Sequence, residues 1–158
     1  MLLIEDADIA FITETWLNDH STPIQDVLIP PGFSSIRLER ESRPGGGLAV
    51  VHKKDITVKP FASVHYPSFE YLGAEQTTKG NKHTKLNTIY HPTGDNQLFV
   101  EDLAELITNN ALTDCNDIFL GDINLRWNDP EDKSVQDLTS ILDLHDLHQI
   151  CKGTTHTK

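Results

Sequence analysis

Two short apolar runs in this sequence end on residues able to do acid–base or metal chemistry. Glu14 follows Asp8-Ile9-Ala10-Phe11-Ile12-Thr13, and Asp122 follows Asp117-Ile118-Phe119-Leu120-Gly121. A carboxylate at the end of a core strand is held rigidly at the sheet rim, where α/β folds place their sites. Asp122 and Asn124 stand two apart, so extended backbone would project both to one side. Gly121 just before them permits close approach of a backbone or a ligand. One acid alone, and a second acid beside an amide, suit a hard cation and a phosphate. They supply an oxygen ligand for Mg2+, a base for water and a neutral donor for a phosphoryl oxygen. Taken singly, each is more often a helix cap or turn former than a site residue; the combination is more specific than its parts.

The elements that must position these residues follow from the hydrophobic period. Asp8 to Thr13 has the pattern of a strand buried on both faces, and Phe33 to Glu39 is a second, weaker strand. Arg43-Pro44-Gly45-Gly46-Gly47 is a backbone-permissive connector into Leu48-Ala49-Val50-Val51-His52. A turn at Lys53-Lys54-Asp55 then makes Ile56 to Phe61 its hairpin partner. Phe69 to Gln76 and Lys85 to Tyr90 form another antiparallel pair around the loop Thr77 to Thr84. Phe99, Leu103, Leu106 and Ile107 share one helix face, with Asp95 or Asn96 as N-cap. Asp117 to Gly121 is again a strand. Ser134-Val135-Gln136-Asp137 fits a capping box opening an amphipathic helix through Val135, Leu138, Ile141 and Leu142. This order predicts a mixed sheet with helices packed on it.

With 158 residues the chain is one domain's worth, and 13 basic against 24 acidic side chains leave a net charge of −11. Such a balance opposes tight, autonomous nucleic-acid binding, because phosphate contacts come from Lys and Arg. The candidates Arg37, Arg40, Arg43, Lys53, Lys54, Lys79, Lys82 and Lys85 are scattered, so a nucleic-acid enzyme here needs a local patch, a metal or a neighbouring domain. No apolar run approaches the roughly 18–20 residues of a membrane span, and acidic Met1 to Asp8 lacks the pattern of a secretory leader. An intracellular location, cytoplasmic or nuclear, without membrane contact is therefore expected. Cys115 and Cys151 have no metal or redox spacing; they could pair in an oxidising compartment, but buried free thiols in a reducing one are the expectation. His145 and His148 lack a third ligand. The stretch Asp122 to Lys133 fails as a calcium loop, with Arg126, Trp127 and Lys133 at three diagnostic positions. P-loop, dinucleotide and serine-hydrolase motifs are absent. Trp16 and Trp127, close in sequence to the site residues, either stack on a base or pack the core or rim.

Five segments occur in a telling order: Ile12-Thr13-Glu14-Thr15-Trp16-Leu17, Gly45-Gly46-Gly47-Leu48-Ala49-Val50, Phe69-Glu70-Tyr71-Leu72, Ile89-Tyr90-His91-Pro92 and Leu120-Gly121-Asp122-Ile123-Asn124. Together they resemble the endonuclease/exonuclease/phosphatase superfamily, in particular the endonuclease domain of non-LTR retrotransposon polyproteins, which precedes a reverse transcriptase. The resemblance runs from about Asp8 to His156. It implies a single, incomplete domain over 1–158, an α/β sandwich of mixed sheets with flanking helices and terminal core strands missing. It also implies phosphodiester cleavage dependent on Mg2+ or Mn2+, with DNA as partner, nicked to free a 3′ hydroxyl for reverse transcription. Glu14 would be the metal ligand, and Tyr90 would donate to the phosphate. Asp122 would orient and deprotonate the attacking water or help the leaving group, and Asn124 would hold Asp122 or a phosphate oxygen in line.

The sequence also departs from that family. Arg usually follows the tyrosine, where His91 stands here. Family members begin with a core strand carrying an Asn, whereas Met1 falls inside the helix that would follow it. They end with a Ser-Asp-His segment, whereas Thr154-Thr155-His156 resembles the stretch before it, so His156 is expected to pack or cap a loop. Exposed sheet edges and weak or absent catalysis follow as expectations, since one charge-stabilising donor is worth about 10²–10³ in rate. A small-molecule phosphatase or phosphodiesterase of the same superfamily, which suits the acidic charge, and a non-catalytic remnant are the alternatives. Oligomeric state is left open.

Overall fold

The structure, a computed structural model, describes residues 7–17, 29–39, 45–78, 80–112 and 115–151. Within them the chain runs β1 (Ile9–Thr13), β2 (Phe33–Leu38), β3 (Leu48–Lys53), β4 (Thr57–His65), β5 (Glu70–Thr77), β6 (His83–Tyr90), α1 (Asn96–Asn110), β7 (Asn116–Asp122) and α2 (Lys133–Leu144). These strands form two sheets, one ordered β1-β3-β2 and one ordered β4-β5-β6-β7. All pairings are antiparallel except β6 with β7, which is parallel. A parallel pair needs a crossover, and α1 supplies it.

Alternation along the strands of the four-stranded sheet feeds two cores. On one face, Leu72 and Tyr90 meet Leu38, Leu48 and Val50 of the other sheet, with Ile9, Phe11 and Ile36 packed against them. On the other face, Phe69, Tyr71 and Ile89 lie under Phe99, Val100, Leu103, Leu106 and Ile107 of α1 and Leu138 of α2. The architecture is thus an α/β sandwich with helices flanking one sheet. Ile89 and Tyr90, adjacent in sequence, point into different layers, and this directs the Tyr90 ring toward the first sheet.

Several expectations are corrected. Leu48–His52 and Ile56–Phe61 are not a hairpin: β3 lies at the centre of the three-stranded sheet, and β4 joins the other sheet beside β5. Five of the six residues of β3 are buried, so both faces and both edges need neighbours, whereas β4 is exposed along most of its length and suits an edge. For the same reason β3, not β1, is the doubly covered strand; β1 is only half-buried throughout. The edge position of β4 also lets it continue through Pro60, with a register shift between Pro60 and Ala62.

Asp95 caps α1, accepting from the backbone N–H groups of Gln97 and Leu98. Asp132, rather than Ser134, caps α2 and accepts from Ser134 N–H, so the predicted capping box is displaced by a nearer carboxylate. Cys115 and Cys151 are free, but neither is buried. No helix among the described residues is long and apolar enough to cross a membrane. Arg40, Arg43, Lys79 and His156 lie outside the described residues.

Candidate active site

Glu14 leaves the end of β1 with its backbone in the left-handed region, φ 53°, and Trp16 follows with φ 56°. This turn is held by a glycine run: Thr15 N–H donates to Gly47 O at 3.2 Å and Trp16 N–H to Gly46 O at 3.0 Å. Gly47 has φ 85°, and a Cβ there would fall 2.4 Å from Thr15 Oγ1, so a larger residue would be strained and would have to displace the Thr15 side chain. Gly47 N–H in turn donates to Glu70 Oε2 at 2.7 Å. Glu70 is buried at the start of β5, only 2% exposed, and serves as an anchor for the loop that backs Glu14. Sequence reasoning gave Glu70 no role.

The other half of the site comes from the ends of β6 and β7. Their parallel register sets Tyr90 opposite Asp122 and Ile89 opposite Gly121. Gly121 has φ 142°, and a Cβ on it would lie 1.8 Å from Ile89 O, so glycine is what allows these two strand ends to close. The Tyr90 hydroxyl, reaching across the interlayer, donates to Oε1 of Glu14. Beyond Asp122 the chain does not stay extended. Asn124 adopts φ 48°, its N–H donates to Asp122 Oδ1 at 3.1 Å, and its side-chain amide donates to His91 O at 2.8 Å. The two residues therefore meet through a turn, not through the same-face projection of a strand.

His91 is the clasp of this arrangement. Its N–H donates to Asp122 O at 2.9 Å, while its carbonyl takes the Asn124 amide. Its ring is 1% exposed and stacks on Phe99 with centroids 4.2 Å apart. Nδ1 lies 2.8 Å from Ser68 O and Nε2 3.3 Å from Asn96 Oδ1. Ser68 Oγ donates to Asp102 of α1 at 2.6 Å. Where the resembling family carries an arginine, this chain turns a side chain into the core. The buried His91 ring anchors the backbone that holds Asp122 and Asn124. Nothing in its type or spacing showed this in the sequence.

The structure thus links Glu14 to Tyr90, Tyr90 to Asp122 by register, and Asp122 to Asn124. The single phenolic proton of Tyr90 is directed at Glu14 here, so donation to a phosphate requires the hydroxyl to turn. Trp16 is 66% exposed, whereas Trp127 is half-buried against the core under α1 and α2. His145 terminates α2, and His148 lies 3.6 Å from Asp146 with both exposed. Of the basic candidates, Lys53 pairs with Asp8 at 2.8 Å, and buried Lys85 donates to Asn110 O at 3.2 Å.

Among the described residues no group of three His, Cys, Asp or Glu could cage a metal ion. Mg2+ does not need one. It is commonly held by one or two carboxylates, with water and substrate phosphate completing the shell. Glu14, exposed and tethered through one oxygen, fits that donor set.

Comparison with known proteins agrees with this architecture. Zebrafish (D. rerio) TDP2, solved in complex with a single-strand DNA product, aligns with a TM-score of 0.58 at 18% identity, covering 84% of this chain and 52% of that one. ANGEL2, a 2′,3′-cyclic phosphatase, aligns with a TM-score of 0.62 at 15% identity, covering 94% and 50%. This chain therefore spans about half the length of these solved relatives. No curated protein matches the sequence. Residues 2–157 match the Endonuclease/Exonuclease/phosphatase family, and the chain belongs to it.

Proposed function

We propose that the chain hydrolyses phosphodiesters with the help of a divalent cation, as a DNA-nicking endonuclease domain of the retrotransposon type. The observation that carries this is the convergence of Glu14, from the end of β1 in one sheet, with Tyr90, Asp122 and Asn124, from the paired ends of β6 and β7 in the other, at one rim of the sandwich. Glu14 would hold Mg2+ or Mn2+, which when bound neutralises charge developing on the phosphoryl oxygens. Asp122 orients the attacking water and takes its proton. The Asn124 N–H and the His91 N–H fix the Asp122 side chain and backbone, so the base is aimed before substrate arrives. Asn124 stands beside it as the neutral partner of an in-line phosphate. Tyr90 keeps Glu14 in place and offers a donor at the same rim.

In a longer polypeptide, a nick leaving a 3′ hydroxyl would serve an attached reverse transcriptase. Net charge supports a second reading. At −11, the surface favours a small phosphoester over a polyanion. A panel of supercoiled plasmid, a labelled oligonucleotide and soluble phosphomonoesters and diesters, each with Mn2+, separates the two. Cleavage confined to the nucleic acids supports the endonuclease; hydrolysis confined to the soluble esters would replace it with a phosphatase.

A further inference from the structure

Trp16 stands two residues from Glu14, yet it belongs to neither apolar core of the described residues. A bulky residue with φ near 56° is a genuine backbone outlier. Such a conformation persists where its surroundings over-determine it, and these outliers cluster at ligand-binding sites. Here the support is specific. Trp16 N–H donates to Gly46 O at 3.0 Å, and a Cβ on Gly45 would lie 3.5 Å from the indole Cζ2. The ring is thus propped against a glycine backbone, with 66% of the residue still exposed. Core packing does not account for a tryptophan fixed in this way.

An exposed indole two residues from Glu14, its backbone held by Gly46, presents a π-face. Bases stack on such faces with little regard to sequence. Stacking does not rely on Lys or Arg, so it remains available to a protein whose net charge of −11 works against phosphate contacts. We propose that Trp16 stacks on a nucleobase of the strand whose phosphodiester lies at Glu14, Tyr90, Asp122 and Asn124. This rests on the phosphodiesterase reading and narrows it. The substrate is a nucleic-acid strand with an unstacked base, single-stranded or locally opened, since bases inside a duplex are already stacked.

The test compares two fluorescein-labelled strands of equal length, oligothymidylate and a backbone of tetrahydrofuran abasic sites, by anisotropy with Ca2+ replacing Mg2+. The wild-type chain should bind oligothymidylate about 10- to 100-fold more tightly. Trp16→Ala should bring the ratio close to one, and Trp16→Phe should keep most of it. Equal binding of the two strands by the wild-type chain, no binding of either, or a preference that survives Trp16→Ala would overturn the proposal. Circular dichroism confirms that each variant is folded. Cleavage of the strands with Mn2+ is scored separately. A preference without cleavage upholds the stacking and removes the phosphodiesterase reading; cleavage without a preference does the reverse.

Discussion

The Tyr90 hydroxyl donates to Oε1 of Glu14, joining the two sheets of the sandwich through residues 76 positions apart. A hydrogen bond to a charged group contributes about 1.5–3 kcal/mol net. Tyr90→Phe should therefore cost about 1–2 kcal/mol of stability in urea unfolding and weaken Mn2+ binding measured by calorimetry. Glu14→Gln should weaken the metal further. The double variant should be clearly less destabilised than the sum of the singles; strict additivity would mean that the two side chains do not act as a unit.

Asn124 meets Asp122 through its own N–H and His91 through its side chain. Asn124→Ala keeps the first bond and loses the second. Hydrolysis should fall about 100-fold or more, with the midpoint of thermal unfolding moving by only a few degrees. A fall in rate matched by gross unfolding would place Asn124 in the scaffold instead.

Closure of β6 on β7 depends on Gly121. A Cβ 1.8 Å from Ile89 O cannot be relieved by a side-chain rotation, so Gly121→Ala should lose about 4 kcal/mol or more, at the extreme of single substitutions. Gly80→Ala is the control. Nothing lies within 4 Å of its added carbon, and it should stay within about 0.5 kcal/mol of wild type. A wild-type unfolding curve for Gly121→Ala would refute this account of the strand ends.

Burial pushes the Tyr71 hydroxyl up from 10.0 to about 12; it donates to Asn87 Oδ1 at 2.8 Å. Between those two values the folded chain keeps a proton that the unfolded chain has lost, so stability falls as pH rises through the window. Below pH 10 this group adds no slope. Tyrosinate absorbance should show a late-titrating tyrosine that disappears in Tyr71→Phe, along with part of the alkaline destabilisation. Titration of every tyrosine near its ordinary value would contradict the burial argument.

Some of this was legible in the sequence because it is local. Glu14 and Asp122 each close an apolar run, and Gly121 stands where two strand ends touch. The pairing of strands was less legible. Leu48–His52, Lys53-Lys54-Asp55 and Ile56–Phe61 meet every short-range condition for a hairpin. What separates β3 from β4 is that β3 is covered on both faces by distant segments, which no local pattern records. Glu70 and His91 were missed for the same reason. The partner of Glu70 is a backbone N–H 23 positions earlier, and His91 holds Asp122 and Asn124 through its backbone N–H and carbonyl, groups that almost any residue possesses. For Trp16 the sequence left core packing and an exposed position both open, and the structure places it 66% exposed.

The most direct test of the central claim is nicking of supercoiled plasmid at low salt by the 158-residue chain with Mn2+ or Mg2+, beside EDTA and Asp122→Ala controls. The account predicts slow conversion to relaxed circles that needs the metal and falls to background in folded Asp122→Ala. Nicking that persists in EDTA or in Asp122→Ala, or none at all from a folded wild-type chain, would contradict it.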